Sequence, residues 1–389
     1  MRLAHLNTAG SGLLASATVD AMTDYLRLEA RLGAYEAELA HASMLRDVRV
    51  DLARLLGAAS ADGIALFDSG TRAWHSAVAA IAAWPRGGRV WVTPYEYAGN
   101  LLMLQALCRR HALSMEVIPV DDAGDLDLAW MERAADERLC LVSVVHVPSA
   151  CGLVLPVEQI GRWLRAACPQ ALYVVDACQS VGQQAIDCQA MGCDLLTAAG
   201  RKFLRGPRGT GFAAVSSRWL ARVGDHPVDL HAAEVLALHA SRLVDPTARR
   251  LELTEMPVAA VLGLGACVRA ALSQDLAPAR ALYRSLCERL AARAEIRLLH
   301  PGRTHSGIVS FQHRDHSPHA VVQRLREHAI NAWVIAGAHT PLYLRAAGIE
   351  SAVRLSVHCT NTSEDIDRLD AALSSFHHAG ALRRTEQIT

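Results

Sequence analysis

The chain has 389 residues, of which 51% are hydrophobic and 20% charged, and its 39 basic side chains balance 39 acidic ones. This length suggests two domains, or a large domain with a lobe. The chain has neither net charge nor a basic stripe, so we do not expect it to bind nucleic acid. Without a long apolar stretch, we do not expect it to enter a membrane.

Helical spacing of apolar residues predicts a long helix over 16–56, after a short extended start. Short apolar runs then alternate with helical patterns, and such continuous runs are typical of strands covered on both faces. The alternation predicts an α/β fold with a mainly parallel sheet of the seven-stranded type between helices. The predicted strands are 64–68, 89–93, 114–119, 139–146, 172–176 and 195–198, with 209–215 as an antiparallel return, and the predicted helices are 72–83, 98–111, 128–135, 157–167 and 179–184.

From residue 257 the pattern changes to that of a smaller α+β lobe. The predicted elements there are a long helix over 258–294, strands at 308–312, 332–335 and 352–358, and helices at 319–328 and after 362. We expect a large domain over 15–256, a small domain formed by 1–14 and 257–380, and a flexible tail over 381–389.

The ten cysteines lack the paired spacing of metal fingers, and many lie in apolar runs. We therefore expect small buried thiols in a reducing compartment rather than disulfides. The first residues lack the apolar core of a signal peptide, so the sequence predicts a cytoplasmic protein. We predict no metal site, because His313, His316 and His319 lie together without sustained carboxylate or cysteine support.

Three polar residues lie around one predicted strand and the loop after the next. Asp176 ends the apolar strand LYVVD, Gln179 follows three residues later, and Lys202 lies in the glycine-rich segment GRKFLRGPRGTGF. Ligands bind beyond the carboxyl ends of strands in open α/β sheets, so Asp176 would face a cleft. A pyridoxal-phosphate enzyme needs an acid that keeps the pyridine nitrogen protonated, and a lysine that holds the aldehyde and moves the Cα proton. Asp176 and Lys202 suit these roles.

Each of the two residues also has an ordinary interpretation. An aspartate after a strand is often a helix N-cap, and a lysine is usually solvated on the surface. Lys202, however, is the only lysine beside 38 arginines. Arginine cannot replace a nucleophilic amine, because its guanidinium stays protonated. Together, Asp176 and Lys202 predict a pyridoxal-phosphate site.

The segment DACQSVGQQAIDCQAMGCDLLTAAGRKFLRGPRGTGF resembles the cofactor-binding core of class V aminotransferase-fold enzymes, which are pyridoxal-phosphate enzymes of fold type I. The likeness extends from LNTAGSG through HVPSACGLVLPVEQIG to AVRLSVHCTNTSEDIDRL. The group includes hercynylcysteine sulfoxide lyases, isopenicillin-N-epimerase-like proteins and cysteine desulfurases. The Asp–Gln–Lys arrangement is specific to the superfamily but not to one reaction.

The resemblance implies a role for each matching residue. Lys202 would form the Schiff base with pyridoxal 5′-phosphate, Asp176 would pair with the pyridine nitrogen, and Gln179 would contact the phenolic oxygen. Arg354 in AVRLSV matches the arginine that grips the substrate carboxylate, which a planar guanidinium can do through two parallel hydrogen bonds.

The remaining cofactor contacts also come from the resemblance. Gly70 and Thr71 in FDSGTRAW match phosphate-contacting positions at a helix start, and Arg201 stands where a phosphate-binding histidine is common. Tyr95 stands where relatives place a ring that stacks on the cofactor. Ser149 lies where they often carry an asparagine that contacts a cofactor oxygen.

One departure from the family bears on the reaction. Cysteine desulfurases carry a persulfide-forming cysteine on a loop ahead of the C-terminal strand, and aligning this loop puts Ala338 of IAGAHTPLYL at that position. No cysteine occurs between Cys287 and Cys359. The sequence therefore favours a branch that acts on an L-amino acid without the thiol, most simply a C–S β-lyase for a cysteine conjugate or cysteine sulfoxide.

Other outcomes of the same chemistry stay open. An epimerase or racemase would need a second acid opposite Lys202, for which Tyr95, Tyr97 and His339 are candidates, and Tyr97 is also expected to contact substrate. An aminotransferase would need a 2-oxo acid. A pyridoxal-binding regulator is disfavoured, because no basic helix precedes the catalytic lobe.

The resemblance also implies a homodimer, because the active sites of this family lie at a dimer interface. In such a dimer, Thr254 of RRLELTEMP would contribute to the phosphate site of the other subunit.

Overall fold

The structure is a computed structural model that describes residues 2–224 and 226–385, with the side chains of residues 377–385 left out. The strands are β1 (Ala4–His5), β2 (Ile64–Phe67), β3 (Arg89–Val92), β4 (Ser114–Val117), β5 (Leu139–Val145), β6 (Leu172–Asp176), β7 (Leu195–Ala199), β8 (Gly211–Val215), β9 (Ala233–Ala237), β10 (Ala240–Leu243), β11 (Ile296–Leu299), β12 (Ile308–His313), β13 (Ile330–Asn331), β14 (Trp333–Ala336) and β15 (Ser351–Ser356). The α-helices are α1 (Ser16–Leu32), α2 (Ala34–Ala40), α3 (Ala42–Leu56), α4 (Gly70–Ala79), α5 (Ala98–His111), α6 (Leu128–Ala134), α7 (Val157–Ala167), α8 (Cys188–Met191), α9 (Ser217–Leu220), α10 (Val258–Leu272), α11 (Ala277–Ala291), α12 (Pro318–Glu327) and α13 (Ser363–Thr385).

A seven-stranded sheet forms the centre of the larger lobe, in the order β2-β8-β7-β6-β5-β3-β4. Strand β8 is antiparallel to both of its neighbours, and the other strands run parallel. The predicted α/β fold is therefore confirmed, together with the antiparallel return at 209–215.

Both faces of this sheet are buried, which explains the continuous apolar runs in the sequence. Along β6, Tyr173 and Val175 pack into one hydrophobic cluster, whereas Leu172 and Val174 pack into another on the opposite face. This alternation follows from the two-residue repeat of a strand. All five residues of β6 are buried, so Asp176 places a carboxylate at the buried carboxyl end of a central strand.

The smaller lobe has a four-stranded antiparallel sheet in the order β11-β12-β15-β14. The start of the chain joins it, because β1 pairs with β13, and Ala4 and Leu6 pack in the same hydrophobic cluster as residues of α11, α12 and α13. The domain boundaries themselves stay a prediction. Of the predicted tail, residues 381–385 continue α13, and residues 386–389 lie outside the described part of the chain.

Three predicted helices are wrong. The helix predicted over 16–56 is three helices, because the chain turns at Gly33, whose φ of +99° favours glycine, and again at His41. The helix predicted over 258–294 is two, α10 and α11, which meet at 84°. Residues 179–184 form turns rather than a helix. The hairpin β9–β10 and strand β11 were not predicted.

Among the described residues, no single helix has the length and hydropathy needed to cross a bilayer. Only α10 and α11 taken together reach them, despite the bend between the two helices.

Candidate active site

A cavity of about 650 Å³ lies at the carboxyl ends of β5, β6 and β7, where the two lobes meet. This volume is typical of small-molecule sites. Ten of the eleven predicted site residues line it: Gly70, Thr71, Tyr95, Tyr97, Ser149, Asp176, Gln179, Arg201, Lys202 and Arg354.

Thr254 is the exception. It is exposed, its Oγ1 lies 3.1 Å from His231 Nδ1, and its backbone N–H donates to Asp229 at 2.8 Å. Its predicted contact with a partner's phosphate site therefore stays a prediction.

The Lys202 amine lies half-buried in the cavity. Within the described residues, its Nζ makes no hydrogen bond or ion pair. Burial lowers the pKa of Lys202, the positive charges of Arg201 and Arg354 lower it further, and Cys178 and Asp176 oppose the change. An amine without a partner and with a lowered pKa is suited to act as a nucleophile and base.

Asp176 is held by a hydrogen bond on each carboxylate oxygen. Its Oδ1 accepts from the backbone N–H of Cys178, and its Oδ2 accepts from Asn100 Nδ2, both at 2.9 Å. Asp176 is 7% exposed, so little water reaches its carboxylate, and the two hydrogen bonds fix the orientation of that group. It can pair with a protonated ring nitrogen in the cavity.

Glu96 and Asn100 were not among the predicted site residues. Asn100 Nδ2 also donates to Glu96 Oε1 at 2.9 Å, and Ser143 Oγ donates to Glu96 Oε2 at 2.9 Å. Burial raises the pKa of Glu96 to about 7, with the Asn100 hydrogen bond opposing this and the charge of Asp176 adding to it. Their i, i+4 spacing at the predicted helix start was the only sequence signal for this pair.

The predicted phosphate site lies at the start of α4. Ser69 caps the helix by accepting from the backbone N–H of Arg72 at 3.1 Å, so other N–H groups of the first turn remain for an anion. A Cβ on Gly70 would lie 2.5 Å from Cys178 Sγ, and glycine is therefore needed at this close approach. Arg201, which donates to the carbonyl of Gly10, adds positive charge to the same cavity.

Gln179 is 3% exposed, and its two amide atoms differ in their surroundings. Nε2 donates to the carbonyl of Ala9 at 3.0 Å, whereas Oε1 is buried without a partner. An unpaired buried acceptor fits a hydroxyl donor in the cavity, such as a protonated phenol. A phenolate would instead require Nε2 to leave Ala9.

Arg354 is a buried cation on β15 with weak partners. Its Nη1 donates to the carbonyl of Ser149 at 3.4 Å, its Nη2 donates to Asn7 Oδ1 at 3.3 Å, and its Nε has no partner. Burial, and then the charge of Arg201, lower the pKa of Arg354 to about 10. The fork is therefore available to a carboxylate.

The two tyrosines of TPYEYAGN differ in exposure and in their contacts. Tyr95 is 2% exposed, its hydroxyl donates to the carbonyl of Gly124, and its ring contacts Tyr343. Tyr97 is 39% exposed and interacts electrostatically with Arg201. Tyr97 therefore has the more accessible hydroxyl in the cavity.

The small lobe closes the cavity with β14 and the segment after it. A single helical turn, Gly337–His339, is followed by the π-helical turn Pro341–Arg345, and His339 lines the cavity. Ala338 is exposed. Cys178 is the one described cysteine that lines the cavity, and burial together with Asp176 raises its thiol pKa. In the described part of the chain, no group of three or more His, Cys, Asp or Glu side chains could hold a metal ion.

Residues 4–369 match the model of a family described as aminotransferase class-V. A cysteine desulfurase of Dickeya dadantii (strain 3937) is 30% identical over 389 residues, which cover 96% of this chain and 92% of that protein. The match to the family model spans both lobes and every predicted site residue.

Solved structures share the fold. The apo cysteine desulfurase of Thermococcus onnurineus NA1 has a TM-score of 0.88 at 24% identity, covering 96% of this chain and 94% of its own. The cystine C-S lyase C-DES, in complex with its product cysteine persulfide, has a TM-score of 0.84 at 21% identity, covering 96% and 97%. A variant of C-DES with glycine covalently linked to its PLP cofactor has a TM-score of 0.82 at 20% identity, covering 96% of each chain.

Proposed function

The chain belongs to the class V aminotransferase family and its cofactor is pyridoxal 5′-phosphate (PLP), and on this basis we propose that it is a C–S β-lyase. Its substrate would be an L-cysteine conjugate or an L-cysteine sulfoxide. The proposal rests on the Lys202 amine, which makes no hydrogen bond to any described residue, in a cavity that also holds the weakly bonded guanidinium of Arg354. The loop at Ala338 beside this cavity carries no thiol.

When bound, PLP supplies an electron sink for the pair left at Cα once its proton is removed. Asp176 would hold the pyridine nitrogen in its protonated form. Lys202 would attach the cofactor, and its Nζ would take the Cα proton, a role that a lowered amine pKa favours. The same Nζ can return that proton to the departing sulfur.

Arg354 binds the substrate α-carboxylate through its two-pronged guanidinium. The carboxylate would satisfy the unpaired Nε and replace the two long hydrogen bonds of the free protein. This fixes the Cα–H bond relative to Lys202. We assign the ring that covers the cofactor to Tyr97 in preference to Tyr95, because the ring of Tyr95 is buried against Tyr343, whereas Tyr97 is 39% exposed and lines the cavity.

The preference for a lyase over a desulfurase comes from the thiols. Ala338 stands where a desulfurase would carry its acceptor cysteine, and the sequence has no cysteine between Cys287 and Cys359. Cys178 lines the cavity, but its raised pKa keeps it as a thiol, which is a poor nucleophile. The proposed sulfur acceptor is therefore a proton.

The overall reaction balances without an oxidant or reductant. A conjugate RS–CH₂–CH(NH₃⁺)–COO⁻ reacts with one water to give RSH, pyruvate and NH₄⁺. The Cβ–S bond breaks with its electron pair on sulfur, and sulfur takes up a proton. A sulfoxide substrate would release RSOH in the same way.

Cofactor attachment can be tested sharply because the chain has one lysine. The wild-type protein should show an absorbance band above 400 nm, and borohydride reduction should fix the pyridoxyl label on the peptide that contains Lys202. Lys202→Arg keeps the charge but removes the nucleophilic amine, so it should remain folded and unlabelled. A label elsewhere, or a wild-type protein that takes up no PLP, contradicts the proposal.

The reaction can be tested by measuring pyruvate release from S-alkyl cysteines and cysteine S-oxides. With [³⁵S]cysteine followed by alkylation, the wild-type chain should retain no covalent sulfur. Ala338→Cys is the matched variant, because it places a thiol on the loop and should become labelled. Labelling of the wild-type chain would refute the thiol-free mechanism.

Two other outcomes use the same residues. Racemisation would need an acid opposite Lys202, and His339 and Tyr97 both line the cavity. Formation of the D-enantiomer with deuterium at Cα in D₂O, without pyruvate, would replace the lyase assignment. Conversion of bound PLP to pyridoxamine phosphate, reversed by a 2-oxo acid, would indicate an aminotransferase.

We also propose a homodimer, supported by the exposed hairpin β9–β10. Val235 is 75% exposed and Leu238 is 90% exposed. Because an isolated two-stranded hairpin with exposed apolar side chains is only marginally stable in water, a second subunit that covers it would stabilise it. Thr254, near the base of this hairpin, would then face the other subunit. Leu238→Glu should shift the protein to a monomer in light scattering, whereas Leu102→Glu on α5, which is 66% exposed, should not. A cytoplasmic location stays a prediction.

A further inference from the structure

Glu96 is a carboxyl group beside the cofactor cavity that the proposed reaction does not use. It is fully buried, and three donors point at it: the backbone N–H of Tyr97 at 3.0 Å, Asn100 Nδ2 and Ser143 Oγ. Burying a carboxylate is costly unless hydrogen bonds compensate, and an apolar side chain would fill the same space without this cost. We therefore explain the carboxylate at position 96 by the three donors that it orients.

Asn100 connects Glu96 to the cofactor site. Its Nδ2 carries two hydrogens, and at 2.9 Å it donates to both Glu96 Oε1 and Asp176 Oδ2. Asn100 is 1% exposed, so water does not compete for these hydrogens. The other oxygen of Asp176 is fixed by the Cys178 N–H. The direction of Oδ2 thus depends on Asn100, and that of Asn100 on Glu96.

We propose that Glu96 is a positioning residue for the cofactor, which acts through Asn100 to orient the Asp176 carboxylate toward the pyridine nitrogen. This inference rests on the role proposed for Asp176. It assigns to Glu96 no contact with PLP or substrate.

The test is the dissociation constant of PLP, measured by titrating the cofactor-free protein and following its absorbance. Glu96→Ala should weaken binding about tenfold, as expected when a charge-assisted hydrogen bond no longer orients a binding group. Glu96→Gln should stay within about twofold of wild type, because its carbonyl still accepts from Asn100 and its amide can donate to Ser143. This rescue distinguishes orientation from the charge itself.

Asp194→Ala is the matched control for loss of a buried carboxylate. Asp194 is 3% exposed, bonds Arg165 and Arg218, and precedes β7, whereas Lys202 follows the opposite end of that strand. This variant should lower the melting temperature and leave PLP affinity unchanged. If Glu96→Ala changes the melting temperature but not the affinity, Glu96 is structural only and the inference is overturned.

A double-mutant cycle with Asp176→Ala separates the possibilities. If Glu96 acts through Asp176, Glu96→Ala should have no further effect on PLP affinity in the Asp176→Ala background. An equal loss of affinity in both backgrounds would overturn the role of Glu96 and leave the role proposed for Asp176 intact. If Asp176→Ala leaves PLP affinity unchanged, the role proposed for Asp176 fails and the inference fails with it. Should Glu96→Ala not fold, Asn100→Ala breaks the same link, and wild-type affinity in that variant would equally overturn the inference.

Discussion

Replacing Arg354 by methionine should stabilise the substrate-free protein while destroying its ability to bind substrate. Arg354 is 6% exposed, and in the described part of the chain no carboxylate pairs with it. Burial lowers its pKa to about 10. Compared with the usual value above 12, this corresponds to a cost of about 3 kcal/mol for the charged form.

The net effect follows from what the substitution also removes. The hydrogen bonds to Ser149 and Asn7, at 3.4 and 3.3 Å, are long and together contribute about 1 to 2 kcal/mol. Arg354→Met is therefore expected to raise the free energy of unfolding by about 1 kcal/mol and the melting temperature by about 2 °C. Because the folded-state pKa lies below the unfolded-state value, the cost is fully present below pH 10 and is lost only as pH rises through that value and above it. The gain should therefore be constant from about pH 6 to pH 9.

Differential scanning fluorimetry of the PLP-bound protein without substrate measures this gain. Arg293→Met is the matched control, because Arg293 is also largely buried but pairs with Glu295 at 3.1 Å and Asp370 at 3.2 Å. Its loss should lower the melting temperature. A decrease in Arg354→Met as large as that in Arg293→Met would refute the reasoning. In the same samples, the amino-acid-induced change in the cofactor spectrum should disappear only in Arg354→Met.

Three further outcomes are expected. Gly70→Ala should weaken PLP binding about tenfold or more, because the added Cβ would press on Cys178 Sγ. Such overpacking costs about 1–3 kcal/mol. Adding Cys178→Ala should recover part of the PLP affinity in the same titration. The basic limb of kcat against pH should lie below the ordinary lysine value of about 10.4, because burial and two neighbouring arginines lower the pKa of Lys202, and a limb at or above that value would contradict its role as the base. Gly161→Ala should cost about 3 kcal/mol in urea unfolding with an unchanged cofactor spectrum, because a Cβ there would overlap the Met191 carbonyl.

The sheet could be predicted from the sequence because each strand is a short apolar run between helical patterns. The breaks at Gly33 and His41 could not, since the apolar spacing continues across both and only the chain path reveals the turns. Asp176 and Lys202 could be predicted because the end of an apolar strand and a single lysine can both be recognised in the sequence. The contact of Asn100 with Asp176 joins residues 76 positions apart, and no local pattern encodes it.

The reaction is harder to predict than the cofactor for a structural reason. The residues proposed to hold PLP lie at the ends of β6 and β7 and at the start of α4, and every reaction that uses this cofactor needs such groups. The opposite wall of the cavity comes from the other lobe, where β14 and residues of the segment 337–345 line it. With alanine at 338 and histidine at 339, this segment carries an imidazole but no thiol, and that composition is the basis on which we propose a lyase rather than a desulfurase.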